Sequence, residues 1–257
     1  IMASYFIYDS INQYRSDNTV SEGQMTDSAT PTFSATSTIT DHERASDQNI
    51  GTIISAVVDR DAIEYAVGSS VTANAAAVYF TGDDNVSSGT IMNFFVDTDR
   101  ASLPNKGTIT AVSAAGWATT DLTETTGTKF FVEFTGAVTN VSEVLIGSKL
   151  SFEVEPDVNI QSSIDYENSI QRSLGGVEYA LNVNPGQEVT TIGFQNISST
   201  FKTNLTTMQD ALKGEAKKFV WYDGSSFHWV RLDKPMTFTE IADGRFSTQL
   251  ILRQQIQ

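Results

Sequence analysis

Residues 218–253 read KFVWYDGSSFHWVRLDKPMTFTEIADGRFSTQLILR, and this stretch decides the fold class. Two turns that contain glycine, Asp223–Ser226 and Asp243–Gly244, separate runs in which apolar and polar residues alternate. Alternation with a period of two is typical of strands that bury one face, and a short Gly-containing turn between two such runs favours a hairpin. The stretch therefore predicts two consecutive antiparallel hairpins.

One helix is predicted just before these hairpins, between Ser199 and Gly214. Leu205, Met208 and Leu212 recur at the spacing that places them on one helix face, and Gly214 is a typical residue for the helix end. In the last strand of the chain the same reasoning with a period of two places Phe246, Thr248, Leu250 and Leu252 on one face.

Upstream of the helix, short β-rich runs alternate with turn residues at intervals of roughly 10 to 20 residues, a pattern typical of sandwiches and barrels. We therefore expect an all-β protein with one short helix, built from antiparallel β-sandwich or barrel modules. Residues 16–50 are rich in Ser, Thr, Asp and Asn, and we expect them to form an extended arm. The upstream runs include Tyr5–Tyr8, Ala76–Phe80, Ile91–Val96, Thr108–Val112, Lys129–Phe134 and Leu150–Val154.

The chain is acidic: its 257 residues carry 31 Asp and Glu against 16 Lys and Arg, a formal net charge of -15. The whole excess lies in residues 1–165, with 22 acidic and 7 basic side chains, whereas residues 166–257 carry 9 of each. Such a surface argues against binding to nucleic acid or anionic lipid. No apolar run approaches the roughly 20 residues of a membrane span. Residues 1–5 lack the features of a signal peptide, so we expect the chain to stay in the cytoplasm or to leave it in an assembled particle.

Few residues suggest chemistry. The absence of cysteine excludes thiolate metal sites and cysteine nucleophiles, and two histidines, His42 and His228, cannot make a three-His site. We expect His42 to be solvated and His228 to lie at a surface beside buried aromatic residues. Common catalytic and phosphate-binding motifs are absent. We therefore predict that the chain is not an enzyme, with no catalytic, cofactor-binding or metal-binding residue and no cofactor.

Carboxylates paired two positions apart are the residues of this chain that could form a catalytic or metal-binding site. On a strand this spacing places both groups on one face, as a glycosidase or a calcium site requires. A solvent-facing strand of an acidic protein produces the same spacing, and we favour that interpretation. The pairs are Asp97 with Asp99, Glu153 with Glu155, and Asp165 with Glu167.

Four aromatic residues crowd the first C-terminal hairpin: Trp221, Tyr222, Phe227 and Trp229. An exposed aromatic cluster could stack on sugars or bases, whereas a buried one would pack the hairpin on its neighbours. We favour core packing for this cluster.

The order of motifs in residues 172–257 resembles the β-sheet modules of tailed-bacteriophage tail-tip proteins, particularly distal tail and related baseplate components. The resemblance implies a structural protein of a virion tail, assembled in the host cytoplasm. It also implies a homo-oligomeric ring, expected to be a hexamer, that joins the tail tube to the tip and contacts tail tube, baseplate or hub proteins. The motifs are Arg172–Tyr179, Asp210–Gly214, Phe219–Gly224, Val230–Phe238, Glu240–Ser247 and Leu250–Arg253.

On this interpretation the chain has three parts. Residues 1–65 supply the arm and strands of a ring-forming body, 66–155 an inserted or appended β-sandwich, and 156–257 a β-module with one helix that completes the body. Residues 16–50 would contact a neighbouring subunit, because a polar arm has little core of its own. The alternative function is a carbohydrate-binding or receptor-binding adhesin module that uses Trp and Tyr residues for sugar stacking.

Overall fold

The computed structural model describes residues 4–9, 19–25, 33–34, 39–56, 60–82, 91–97, 105–111, 114–136, 138–156, 160–166, 168–172, 178–182 and 186–255. The chain divides into two compact units. The larger unit comprises Tyr5–Ser151 and Phe219–Phe227. The smaller unit comprises Phe152–Lys218, His228–Ile256 and residues 1–4.

Strands dominate both units. The strands are β1 (Tyr5–Tyr8), β2 (Thr19–Met25), β3 (Phe33–Ser34), β4 (Ile54–Ala56), β5 (Asp61–Phe80), β6 (Ile91–Asp97), β7 (Asn105–Thr110), β8 (Gly116–Thr135), β9 (Val138–Ser151), β10 (Gln161–Asp165), β11 (Asn168–Arg172), β12 (Glu178–Asn182), β13 (Gln187–Ser198), β14 (Lys218–Tyr222), β15 (Phe227–Leu232), β16 (Thr237–Ala242) and β17 (Arg245–Gln254). A short 3₁₀ helix covers His42–Ser46, and the α-helix α1 covers Ser199–Ala211.

In the larger unit the strands pair antiparallel in the order β14-β1-β9-β5-β8-β6-β7. Strand β5 is long enough to pair with β2 along its first residues and with β9 along its last. Its alternate residues Ala76, Val78 and Phe80 are fully buried in the main apolar core, together with Phe94, Phe130 and other residues of β6, β8 and β9. Alternate residues of a strand share one face, which explains why these three face the main core, whereas Ala75, Ala77 and Tyr79 between them are buried outside that cluster.

In the smaller unit the order is β10-β13-β17-β15, with β16 paired to the first half of β17 and β11–β12 forming a separate ladder. Helix α1 packs on this sheet through Leu205, Met208 and Phe201, all buried. Its N-terminus is capped by the Ser198 hydroxyl, which accepts a hydrogen bond from the Phe201 N–H.

The predicted fold class is confirmed: the described strands pair antiparallel, and one α-helix accompanies them. The second C-terminal hairpin is confirmed by the β16–β17 pairing. The two runs of the first form β14 and β15, and the Asp223 N–H donates to the Ser226 carbonyl across the predicted turn. The predicted helix face is confirmed as well, since Leu205, Met208 and Leu212 are fully buried.

Other expectations need correction or stay predictions. Strand β9 ends at Ser151, so the run Leu150–Val154 is not a strand of its own, and β5 and β8 are 20 residues each instead of short runs. Part of the expected arm, β2, pairs along β5 of the same chain. The three-part division at residues 65 and 155 stays a prediction.

Candidate functional site

A row of partly exposed aromatic rings crosses the larger unit at one end of its sheet. Tyr5 of β1 lies directly opposite Tyr222 of β14 in the strand register, and directly opposed side chains share a face. The ring centroids of Tyr5 and Tyr222 are 5.0 Å apart, and those of Tyr222 and Phe227 are 4.7 Å apart. We call Tyr5, Tyr222 and Phe227 the aromatic row. All three keep part of their surface in solvent.

The tryptophans of the same hairpin do not belong to this row. Trp221 lies opposite Phe6 on the other face of the sheet and is 5% exposed. Trp229, in the smaller unit, is 4% exposed. The predicted aromatic cluster therefore divides: the two Trp side chains are core, as we expected, and Tyr222 and Phe227 remain at the surface. Sequence reasoning missed Tyr5, because only the strand pairing brings it to Tyr222.

A charged pair and a hydroxyl flank the aromatic row. The Lys149 ammonium lies 4.4 Å from the centre of the Tyr5 ring and 2.8 Å from Oδ1 of Asp121. The Tyr5 hydroxyl is 3.2 Å from Oγ1 of Thr119. We call Lys149, Asp121 and Thr119 the polar flank. The Asp121 side chain is 72% exposed and that of Lys149 is 25% exposed, so both can meet a ligand.

Small residues between the strands let this pair form. In the strand register Gly147 of β9 lies opposite Ala75 of β5, which lies opposite Asp121 of β8. Lys149 is two residues from Gly147 and therefore projects from the same face. Because Gly147 and Ala75 place no bulk between the strands, the Lys149 side chain can reach Asp121 while it covers the edge of the Tyr5 ring.

The turn after β14 fixes the far end of the row. Oδ1 of Asp223 accepts hydrogen bonds from the backbone N–H groups of Ser225 and Ser226, at 2.7 and 2.8 Å. Gly224 adopts a φ of 97°, which a residue without a side chain tolerates at little cost. The Tyr222 hydroxyl donates to the Gly224 carbonyl at 3.0 Å, so the turn holds the Tyr222 ring in place.

The paired carboxylates are engaged in structural contacts where the structure describes them. Glu153 accepts a hydrogen bond from Ser198 at 2.6 Å, and Glu155 accepts one from Ser4 at 3.4 Å. Asp165 lies 2.9 Å from the Arg253 guanidinium. Asp99 and Glu167 lie outside the described residues, and so does the side chain of Asp97. Across the described ranges, His, Asp and Glu side chains form no cluster that could hold a metal ion.

The expectation that His42 is solvated is wrong. Its side chain is 19% exposed, and Nδ1 lies 3.0 Å from a carboxylate oxygen of Glu22 on β2. The pairing of β2 with β5 brings Glu22 to the 3₁₀ helix, a contact that the local sequence around His42 does not indicate. His228 is partly exposed.

Two buried tyrosines of the larger unit and one arginine of the smaller unit, Arg253, have raised pKa values; hydrogen bonds with Asp233 and Asp165 raise that of Arg253. Burial raises the pKa of Tyr65 well above its usual value, and the charges of Glu143 and Asp9 raise it further. Burial also raises the pKa of Tyr8, partly offset by a hydrogen bond with Ser148. The aromatic row and the polar flank together offer stacking and hydrogen bonding to a ligand.

Comparisons with known proteins place the chain in no established family: no family model and no curated protein matches it. Solved structures do match. One is the family 32 carbohydrate-binding module of AlyQ in complex with 4,5-unsaturated mannuronic acid, with 21% identity over 58% of this chain and 98% of that one and a TM-score of 0.39.

Two further matches are of the same kind. The family 32 module of NanJ from C. perfringens, in complex with galactose, is 12% identical over 55% of this chain and 98% of that one, with a TM-score of 0.37. A truncated AlyQ with its family 32 module and alginate lyase domains is 18% identical over 88% of this chain and 56% of that one, with a TM-score of 0.40.

The resemblance to tail-tip proteins is wrong. The matching structures reported above are carbohydrate-binding modules, and one of them includes an enzyme domain; they are not tail or baseplate proteins. A tail-tip ring, a hexamer and contacts with tail tube, baseplate or hub proteins were implied by that resemblance alone and are set aside with it. The hairpins, turns and helix of residues 172–257 that suggested it are local features that unrelated β-proteins share.

In the part of the chain that the structure describes, every helix is too short or too polar to cross a bilayer.

Proposed function

We propose that the protein is a carbohydrate-binding module whose ligand stacks on the aromatic row of the larger unit. The observation that carries the proposal is the placement of Tyr5, Tyr222 and Phe227 as adjoining, partly exposed rings beside the Lys149–Asp121 pair. Carbohydrate ligands are also named in the descriptions of two of the matching structures, which suggests the class of ligand to test first.

Aromatic rings beside hydrogen-bonding groups match both the apolar C–H face and the hydroxyl groups of a sugar. The C–H face of a pyranose is apolar and packs on a ring, whereas its hydroxyl groups need donors and acceptors. The polar flank offers both, since the Lys149 ammonium donates and the Asp121 carboxylate accepts. The contacts of Tyr5 with Thr119 and of Tyr222 with Gly224 hold these rings before a ligand arrives, which lowers the entropy lost on binding.

The charge of the site favours an uncharged sugar. Lys149 is already paired with Asp121 at 2.8 Å, so its charge is not available to neutralise a carboxylate or sulfate group of a ligand. Residues 1–165 also carry 22 acidic against 7 basic side chains, which repels a polyanionic glycan at long range.

We also propose that the chain binds its ligand without cleaving it. Glycoside hydrolysis uses two carboxyl groups that flank the scissile bond. Two described carboxylates lie beside the aromatic row, and both are engaged: Asp121 is paired with Lys149, and Asp223 accepts the backbone N–H groups of its own turn. Glu153 and Asp165, from the predicted pairs, are held by Ser198 and Arg253 in the other unit.

The test replaces Tyr222 by alanine and measures binding to a printed array of neutral and acidic oligosaccharides, followed by calorimetric titration with the strongest neutral one. A base stacked on an aromatic ring loses about 1–3 kcal/mol when the ring is removed, and a similar loss for a sugar would weaken binding to Tyr222→Ala roughly 5- to 150-fold. The matched control is Tyr166→Ala, because Tyr166 is an exposed tyrosine of the smaller unit, 51% exposed. Binding that is unaffected by Tyr222→Ala and by Tyr5→Ala, or no binding to any glycan on the array, would overturn the proposal.

A further inference from the structure

An open groove of about 320 Å³ lies on the sheet of the smaller unit, over strands β13, β17 and β16. Its volume falls within the usual range for small-molecule sites. Uncharged hydrogen-bonding side chains line it from all three strands: Gln195, Ser247, Gln249, Thr237 and Thr239.

The strand register explains why these side chains converge. Gly193 of β13 lies opposite Gln249 of β17, which lies opposite Thr237 of β16. Ser247 lies opposite Thr239 one row further along the same face. Because Gly193 has no side chain, the first row is open at the β13 side, and the groove gains depth there.

A β-bulge on β13 changes the direction of the side chains at one end of the groove. The β13–β17 register shifts between Phe194 and Ile197, and Asn196 within this bulge has a φ of 60°. A bulge changes the direction of the side chains at its position, and bulges are over-represented beside binding sites. Here the bulge contains Gln195, whose side chain lines the groove.

The hydrogen-bonding side chains of the groove are not used by the other residues that the structure describes. Within the described residues the side chains of Gln195, Ser247, Thr239 and Gln249 make no hydrogen bond to other protein groups. The carbonyl of Thr237 is used by the buried Thr248 hydroxyl, at 2.7 Å, which leaves the Thr237 side chain to face the groove. Two carboxamides and three hydroxyls supply both donors and acceptors, and the lining contains no charged side chain.

We propose that this groove is a second binding site, for a neutral oligosaccharide. Hydroxyl and carboxamide groups in alternation match the vicinal hydroxyls of a sugar, whereas a phosphate, sulfate or carboxylate ligand would require a cation that the lining lacks. The groove lies on the face of the sheet and the ligand would meet side chains, in contrast to a peptide that adds a strand at a sheet edge. The site goes beyond the aromatic row, because it lies in the other unit and because Phe194, the aromatic residue of its lining, is fully buried and cannot stack on a ligand.

The test compares two groove variants, Thr239→Val and Gln249→Leu, on the array of neutral oligosaccharides with oligogalacturonates as the anionic probes. Titration with a bound neutral oligosaccharide should show about tenfold weaker binding at the groove in each variant. The control is Thr123→Val, because Thr123 is also an exposed strand threonine and lies outside the groove. Thermal melting of all variants checks that they fold.

The two sites can fail separately. Binding that persists in Tyr222→Ala and is lost in Thr239→Val supports the groove and counts against the aromatic row. Binding that is lost in Tyr222→Ala and unchanged in both groove variants overturns the groove and leaves the aromatic row supported. No binding to any neutral glycan, or binding to oligogalacturonates alone, overturns the groove.

Discussion

At the scale of single residues, Tyr65 is a large polar side chain buried in the core of the larger unit. It is 1% exposed, and its hydroxyl makes no hydrogen bond to the described residues. Tyr8 is also buried, but its hydroxyl bonds Ser148. A buried hydroxyl without a partner keeps its full desolvation cost, whereas a bonded one contributes about 0.5–1.5 kcal/mol. The two tyrosines therefore form a matched pair.

Tyr65→Phe should leave the free energy of unfolding at pH 7 unchanged or raise it by about 1 kcal/mol, whereas Tyr8→Phe should lower it by about 1 kcal/mol. Urea unfolding followed by fluorescence measures both. A loss of more than 1 kcal/mol in Tyr65→Phe would contradict the isolated hydroxyl.

The same residue predicts a pH dependence. The folded pKa of Tyr65 lies well above the unfolded value of 10.0 because burial disfavours the phenolate. Below pH 10 the phenol is neutral in both states and the full stability is present. Above it the unfolded chain ionises first, so stability falls as pH rises, by up to about 1.36 kcal/mol per pH unit. Tyr65→Phe should remove this contribution to the slope, which is about half a proton at pH 10 and approaches one proton near pH 11.

At the scale of elements, the end of helix α1 contains a backbone conformation that its residue does not favour. The Gly214 N–H bonds the Gln209 carbonyl and the Lys213 N–H bonds the Asp210 carbonyl, the two bonds of a Schellman motif. Lys213 occupies the left-handed position with a φ of 54°, where glycine is usual. Gly214 follows with a φ of 69°. The sequence predicted the glycine at this end and not the lysine before it.

Lys213→Gly should raise the free energy of unfolding by about 1 kcal/mol, because it relieves the left-handed strain of an exposed residue. Gly214→Ala should lower the free energy of unfolding, because a φ of 69° is strained for alanine. A Cβ at this position meets no neighbour, so backbone strain is the whole cost. Chemical denaturation of the pair measures both signs. Equal losses in the two variants would refute this assignment of the cap.

How far the sequence predicts the elements depends on how local their contacts are. The helix and the C-terminal hairpin β16–β17 were predictable, because each is formed by neighbouring residues with clear turns and periodicity. The length of β5 was not, since residues 68–70 are exposed and polar and resemble a loop, although they continue the strand. The aromatic row was only half predictable: Tyr222 and Phe227 share a hairpin, but Tyr5 joins them through strand pairing that no local pattern records.

At the scale of the whole molecule, uneven charge sets the solution behaviour. The motifs of residues 172–257 are shared by many β-proteins and indicated an incorrect family. The charge distribution belongs to this chain alone, and it limits which ligands the chain can bind. The 31 acidic and 16 basic side chains give the chain a formal net charge of -15. These charges lie closer together in the folded state than in the expanded unfolded state. Self-repulsion of this kind destabilises the compact state, and salt screens it.

Raising NaCl from about 10 mM to about 0.3 M at pH 7 should therefore raise Tm, since the Debye length falls from roughly 30 Å to below 10 Å. Each kcal/mol of relieved repulsion corresponds to about 2–4 °C for a chain of this size. Near the sequence pI of about 4.4 the net charge vanishes and the same salt increase should leave Tm nearly unchanged. Differential scanning calorimetry at both pH values makes the comparison. A fall of Tm with salt at pH 7 would mean that attractive pairs such as Lys149–Asp121 and Arg60–Glu133 outweigh the repulsion, and the charge argument against anionic glycans would then lose its basis.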